Sequence, residues 1–420
     1  MSTSGGEPQA ASTSPLHIQI FHVVTVRTRS GPGMAGGAGG GLIYHARLAE
    51  EWVKRGHLVT VHTNLPEMFE GKCTRLIAIG QAGPNLADGG AGTLLQPLKS
   101  LFSTFANTTT TRTLEAASSH VPDMSIVITG SPNLSDIIPA SRIAHESGAP
   151  LVVSFHHLTP GPWWHPYRRG GVVRCTGAWL LSQVALVITK VCGFVPSIDQ
   201  VRILSESGWR FSVPVLRDEI FLESYPDRDT IETLNRPIDV CFVSRLSPMK
   251  GLYDLVSIWT EVHRRLPAAR LVVGGDFESQ AVEQRFRLAI EKKGLTEFIT
   301  LRGHLSDRDK RDLLATSKIF AYPSYEEGWS LAVMEAAAYG CVPVVYDLPA
   351  YDYLGSATPR VPPGNAQAFA ERLVDLLGDS QKRDKIAAGL EGIPRAFTVD
   401  RVASDQIAFF RTRVYRKPSH

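Results

Sequence analysis

Short apolar runs rich in β-branched residues alternate along the chain with stretches whose apolar positions recur every three or four residues, the pattern of strands and crossover helices in parallel sheets. In the first half the runs predict strands at residues 18–24, 58–62, 125–129, 151–155 and 186–189. Between the first two, Leu42, Ala46, Ala49 and Val53 mark one face of a helix that stops at Gly56. Residues 80–92, GQAGPNLADGGAG, are too rich in glycine for regular structure and predict a loop.

Around residues 214–236 the periodicity lapses into a charged, proline-punctuated stretch, and IDVCFVS at 238–244 restarts the pattern. Strands follow at 270–276, 298–303, 318–324 and 341–347. The lapse predicts a boundary between two α/β domains, with residues 1–15 as a disordered tail, 16–218 as the first domain and 219–395 as the second. Ligands of such open sheets bind beyond the carboxyl ends of the strands.

Composition changes this picture little. The chain has 420 residues, 43% hydrophobic and 20% charged, with a net charge of +3, which describes a globular protein with no basic block for nucleic acid. Its five cysteines form no C-x-x-C pair, so a reduced cytoplasmic setting without a zinc site is expected. The N-terminal stretch lacks the charged and apolar regions of a signal peptide, and no apolar run is long enough to span a bilayer. Peripheral contact with the inner face of a membrane is compatible with this composition.

Residues 31–36, GPGMAG, fit the dinucleotide fingerprint G-x-G-x-x-G. The context does not: a polar interval at 25–30 separates the strand from the first glycine, and the second strand ends on His62, Thr63 and Asn64 with no carboxylate for a ribose. A nicotinamide or flavin cofactor is therefore not expected, and the glycines need another reason.

The most informative segment is PSYEEGWSLAVMEAAAYGCVPVV, 323–345. It predicts a strand end, a short loop, Ser330 as N-cap and a helix closed by Gly340, with backbone N–H groups that suit an anion. Glu327 precedes the helix and Glu335 lies within it, placed to accept hydrogen bonds from sugar hydroxyls or merely to complement the helix dipole. FVSRLSPMKG, 242–251, sends Arg245 and Lys250 from a strand end of the same sheet, where both could neutralise a diphosphate.

SRLSPMKG, LVVGGD and ITLRGHLSDRDKRDLLATSKIFAYPSYEEGWSLAVMEAAAYGCVPVV, in that order, resemble the donor-binding half of the retaining glycosyltransferases of family 4. The resemblance extends to GGGLIYHARLAEEWVKRGHLVTVHT and to the C-terminal FTVDRVASDQIAFFRTRVYR. It implies the GT-B fold: two Rossmann-like doubly wound α/β domains facing across a cleft, with residues 396–420 as a helix returning to the first domain. It implies transfer from a nucleotide-diphosphate sugar, a UDP- or GDP-sugar, with retention and without a metal or resident cofactor. The acceptor would be a small molecule, a saccharide or a lipid.

Carried over residue by residue, the resemblance gives Arg245 and Lys250 to the diphosphate, Glu327 to the donor sugar and Glu335 to the ribose. The backbone of Gly328, Trp329, Ser330 and Leu331 would complete the site, and Arg302, Gly303 and His304 fall where the family contacts the base. Gly39, Gly40 and Gly41 best match a glycine pair that approaches the donor phosphates closely, with Gly36 and Gly37 as the second choice. His156 matches a strand-end histidine near the reacting bond, with His157 second.

The sequence also departs from the family. Ser244 stands where glycine is common, and PVLRDEIFL replaces the usual interdomain Asn-Gly-Val-Asp. Trp163, Trp164, Arg168 and Arg169 suit an acceptor, a membrane interface or simple loop packing equally. The competing functions are a GT-B nucleotide-sugar epimerase or hydrolase, which needs further carboxylates in the cleft, and a sugar-nucleotide binder without catalysis.

Overall fold

The computed structural model describes residues 14–22, 40–79, 124–130, 134–154, 192–195, 215–217 and 235–414. Two sheets emerge, each parallel throughout. The first comprises β1 (His17–His22), β2 (Leu58–Thr63), β3 (Arg75–Ala78), β4 (Ser125–Thr129), β5 (Leu151–Ser154), β6 (Cys192–Val195) and β7 (Val215–Arg217), in the order β3-β2-β1-β4-β5-β6-β7. Helices α1 (Gly40–Lys54) and α2 (Leu134–Ser147) belong to this half.

The second sheet comprises β8 (Ile238–Val243), β9 (Leu271–Gly274), β10 (Ile299–Gly303), β11 (Ser317–Tyr322), β12 (Val342–Tyr346) and β13 (Arg360–Val361), ordered β10-β9-β8-β11-β12-β13. Its helices are α3 (Leu252–Arg265), α4 (Gln280–Lys292), α5 (Asp307–Thr316), α6 (Leu331–Ala338), α7 (Ala366–Gly378), α8 (Ser380–Leu390) and α9 (Gly392–Arg395). Both sheets therefore run outward from a central strand in two directions, the doubly wound order. The reversal falls between β1 and β4 in the first and between β8 and β11 in the second.

The elements form where side-chain periodicity and capping agree. In α3 a stripe of Leu252, Leu255, Val256, Ile258, Trp259 and Val262 is buried, while His263, Arg264 and Arg265 close the last turn against the helix dipole. In α1, Leu42, Ala46 and Ala49 are buried with Leu48 and Trp52, and Gly56 turns the chain out with φ of +82°.

The last helix, α10 (Val399–Phe409), leaves the second sheet's half and packs on α1. Arg55 donates to the Asp400 carboxylate at 2.5 Å and to Ser404 Oγ at 2.7 Å, and Gln406 donates to the Tyr44 hydroxyl at 2.9 Å. The apolar cluster of the first half runs on through Phe397, Val402 and Ile407 to Trp329, Met334 and Ala338.

Most predicted strands appear within two residues of their expected bounds. The strands that the pattern does not predict, β3, β6, β7 and β13, are short, spanning two to four residues. Residues 215–217 need correction, since they pair with β6 as the edge strand of the first sheet instead of belonging to the charged lapse. The strand predicted at 186–189, the loop at 80–92, Gly36, Gly37 and Gly39 lie outside the described residues, as do His156, His157, Trp163, Trp164, Arg168 and Arg169.

Candidate active site

The loops that follow β8 and β11 diverge at the strand-order reversal of the second sheet, and they carry the charged residues singled out in the sequence. Lys250 closes a turn of 3-10 helix, Pro248–Lys250, and Gly251 follows with φ of +74°. A Cβ on Gly251 would lie 1.9 Å from the Pro323 carbonyl oxygen, so only glycine lets this turn rest against the end of β11. Tyr325 N–H then donates to the Met249 carbonyl at 3.0 Å and stitches the two loops together.

Lys250 reaches across that seam. Its Nζ lies 2.5 Å from Glu327 Oε1 and 3.3 Å from the Glu326 carbonyl, with side-chain exposures of 15% for Lys250 and 5% for Glu327. Burial opposes the ammonium charge, yet the facing Glu327 carboxylate outweighs it and holds Lys250 above its ordinary range. Beneath the pair, burial and Glu327 push the Tyr322 phenol up to about 12, and its hydroxyl meets Ser244 Oγ at 3.3 Å. Arg245, two residues beyond β8, is exposed and has no ion pair to a described residue.

The second anchor is the start of α6. Ser330 is its N-cap, as the sequence predicts, with its hydroxyl accepting from Val333 N–H at 3.4 Å. It is also the one described non-glycine residue at positive φ, +68°, a conformation that costs on the order of 1–3 kcal/mol and is found most often at functional sites. The Trp329 indole is buried, stacked on Tyr353 at 4.3 Å and edge-on to Phe397 at 5.0 Å. Gly328 is buried beside it and Leu331 half-buried.

Glu335 sits on the fifth residue of α6, where Lys310 of α5 donates to its Oε1 at 2.7 Å. Burial pushes the Glu335 carboxyl up while Lys310 pulls against it. At the far end of the same edge Gly303 ends β10 with φ of +66°, and its carbonyl accepts from Gly275 N–H at 2.7 Å. Arg302 and His304 are exposed there, and His304 Nδ1 pairs with Asp276 Oδ2 at 2.7 Å.

Sequence reasoning missed three supporting residues. Asp254, in the first turn of α3, accepts from the hydroxyls of both Tyr325 and Tyr346 and so ties the Glu327 loop to a helix. Tyr322 reads as the end of an apolar strand. Lys310 hides in the charged run DRDKRD, which has the appearance of a solvated helix face.

On the first sheet the described residues leave a histidine cluster at the corresponding reversal. His45 Nδ1 donates to the Gly41 carbonyl at 2.7 Å, which leaves Nε2 to accept from Ser154 Oγ at 3.2 Å. His22, at the end of β1, lies 5.4 Å from His45 between ring centroids. A Cβ on Gly130, just beyond β4, would fall 1.7 Å from His22 Nδ1. Gly40 and Gly41 are the first two residues of α1.

Residues 227–389 match the family model of glycosyl transferases group 1. The chain is 30% identical over 115 residues to the GDP-mannose:cellobiosyl-diphosphopolyprenol alpha-mannosyltransferase of Xanthomonas oryzae, covering 27% of this chain and 30% of that protein. It is 28% identical over 188 residues to the D-inositol 3-phosphate glycosyltransferase of Jonesia denitrificans, covering 42% and 43%. The chain thus spans less than half the length of these curated relatives.

Similar solved structures include the sucrose-phosphate synthase of Thermosynechococcus elongatus, with TM-score 0.70, 17% identity and coverage of 94% of this chain and 98% of that one. Anabaena HepE in complex with UDP and glucose gives TM-score 0.66, 17% identity and coverage of 93% and 98%. Residues 227–389 are thus similar to glycosyl transferases group 1, in a chain that shares the two-sheet GT-B fold of these solved structures.

Proposed function

We propose that this chain is a retaining glycosyltransferase that moves a sugar from a nucleotide-diphosphate sugar to an acceptor hydroxyl. The observation that carries the reading is the Lys250 and Glu327 pair held at the sheet's reversal beside the N-terminus of α6. A cation, a helix start and a carboxylate there suit a diphosphate next to a sugar.

In the reaction the bond from the anomeric carbon to the diphosphate oxygen breaks, and its electron pair leaves with the phosphate. Arg245 and Lys250 stabilise that charge, the contribution of groups fixed in advance where charge develops. The acceptor oxygen bonds to the anomeric carbon on the face the phosphate leaves, and its proton passes to the departing diphosphate. Glu327 holds the sugar hydroxyls, Glu335 the ribose, and the Arg302 to His304 edge the base. No resident cofactor is required. The acceptor is a small molecule, a saccharide or a lipid; relatives named for polyprenol and inositol phosphate acceptors support that range.

The test is thermal unfolding against UDP, GDP, their sugars, NAD and FAD, followed by NMR of the product's anomeric centre. Stabilisation by one nucleotide-sugar series and a product that keeps the donor's configuration are expected. A shift with NAD or FAD alone overturns the reading, as does an inverted product.

A further inference from the structure

Glu335 is held in an unusual way for a residue that would receive a ligand. Lys310 Nζ takes one oxygen, Oε1, at 2.7 Å, while Oε2 makes no hydrogen bond to a described residue and the side chain keeps 22% exposure. The carboxylate has one committed face and one open face. Lys310 is itself largely covered, at 25% exposure, and is steadied by Asp307 at 3.5 Å. On the same helix the Arg308 and Asp312 pair is 87% and 69% exposed and 3.8 Å apart, an ordinary solvated contact.

We propose that Lys310 is a positioning residue of the nucleotide site: by holding Oε1 of Glu335 it turns Oε2 outward to accept from the 2′ and 3′ hydroxyls of a ribose. This rests on the assignment of Glu335 to the ribose made above. The logic is geometric first. α6 is tied down by its apolar side, where Val333, Met334, Ala336, Ala337 and Ala338 are buried against the neighbouring strands and helices. Glu335 faces α5, where Lys310 fixes its rotamer.

Charge reinforces the geometry. Burial pushes the Glu335 carboxyl up, and Asp307 adds to that push, while Lys310 and Arg311 of α5 oppose it. The Tyr339 phenol lies a turn further along α6 within the same field. Without Lys310 the carboxyl protonates at higher pH and ceases to be a pure acceptor.

The experiment measures the dissociation constants of UDP, GDP and their 2′,3′-dideoxy forms by calorimetry, for wild type, K310M, K310R and E335Q. Wild type is expected to favour the ribose form by about tenfold or more, as hydrogen bonds to a charged group give. K310M should narrow that ratio to about threefold or less, and K310R should restore it. As pH falls, K310M should lose affinity for the ribose form before wild type does, because without Lys310 the Glu335 carboxyl takes up its proton at higher pH. A purely structural lysine would not move that profile.

If K310M keeps the wild-type ratio and pH profile, the proposal is overturned, and loss of the ratio in E335Q would then leave the Glu335 assignment standing alone. If E335Q keeps the wild-type ratio, the assignment falls and the proposal with it. The absence of any diphosphate binding overturns both. Should K310M not fold, K310Q carries the same comparison.

Discussion

Lys250 and Glu327 are coupled in a way that separates folding from activity. Each screens the other in a site where Glu327 is 5% exposed, so removing either leaves an uncompensated buried charge, a loss on the order of 3–5 kcal/mol. Lys250→Met is therefore expected to lower both stability and turnover, the latter by about tenfold or more. The double change Lys250→Met with Glu327→Gln should recover most of the melting temperature and none of the turnover. Recovery of both in a coupled assay would remove these residues from the chemistry.

At the scale of elements, the site depends on two loops that touch through backbone. Gly251 and Gly294 share a left-handed conformation, φ of +74° and +66°, but a Cβ at 251 meets the Pro323 carbonyl while one at 294 meets nothing within 4 Å. Gly294→Ala should cost about 1 kcal/mol, the strain of the left-handed backbone alone. Gly251→Ala adds the collision, must displace the Lys250 turn, and should weaken diphosphate binding by about tenfold or more. Equal effects of the two substitutions, compared by denaturant unfolding and calorimetry, would contradict the packing argument.

The same scale shows what the sequence makes legible. Strands such as Ser125–Thr129 declare themselves because β-branched runs are bounded by turn residues. The loop containing Glu327 and the helix containing Glu335 are equally plain, since N-cap, helix formers and closing glycine agree. What stays hidden are contacts that join distant segments. Asp254 meets Tyr325 and Tyr346 across 71 and 92 residues, and no local pattern records such a pairing. Ser330 is recognisable as a cap but not as a strained one, because its φ is imposed by tertiary packing.

For the whole molecule, the buried histidines set a dependence on acid. Burial pulls His22 and His62 down to about 3 and His45 to about 4, so in the folded chain all three stay neutral where an unfolded chain takes up protons. Stability is complete above about pH 6.5 and is lost as pH falls toward the folded values, by on the order of 1 kcal/mol per histidine between about pH 7 and pH 5.5. His62 stacks on Phe21 at 4.0 Å with neither ring nitrogen hydrogen-bonded to a described residue. His62→Phe keeps the stack and should flatten the fall in melting temperature; a variant as acid-sensitive as wild type would show that His62 already titrates in the folded state.

The helix α10 has a mechanical consequence as well. The chain passes from the first sheet to the second after Arg217 and returns to α1 after Arg395, where Arg55 clasps Asp400 and Ser404. Two bodies joined by a single tether can swivel freely, whereas two bodies joined at two points behave like a door on two pins. The second crossing thereby restricts relative motion of the two halves toward rotation about the line through both.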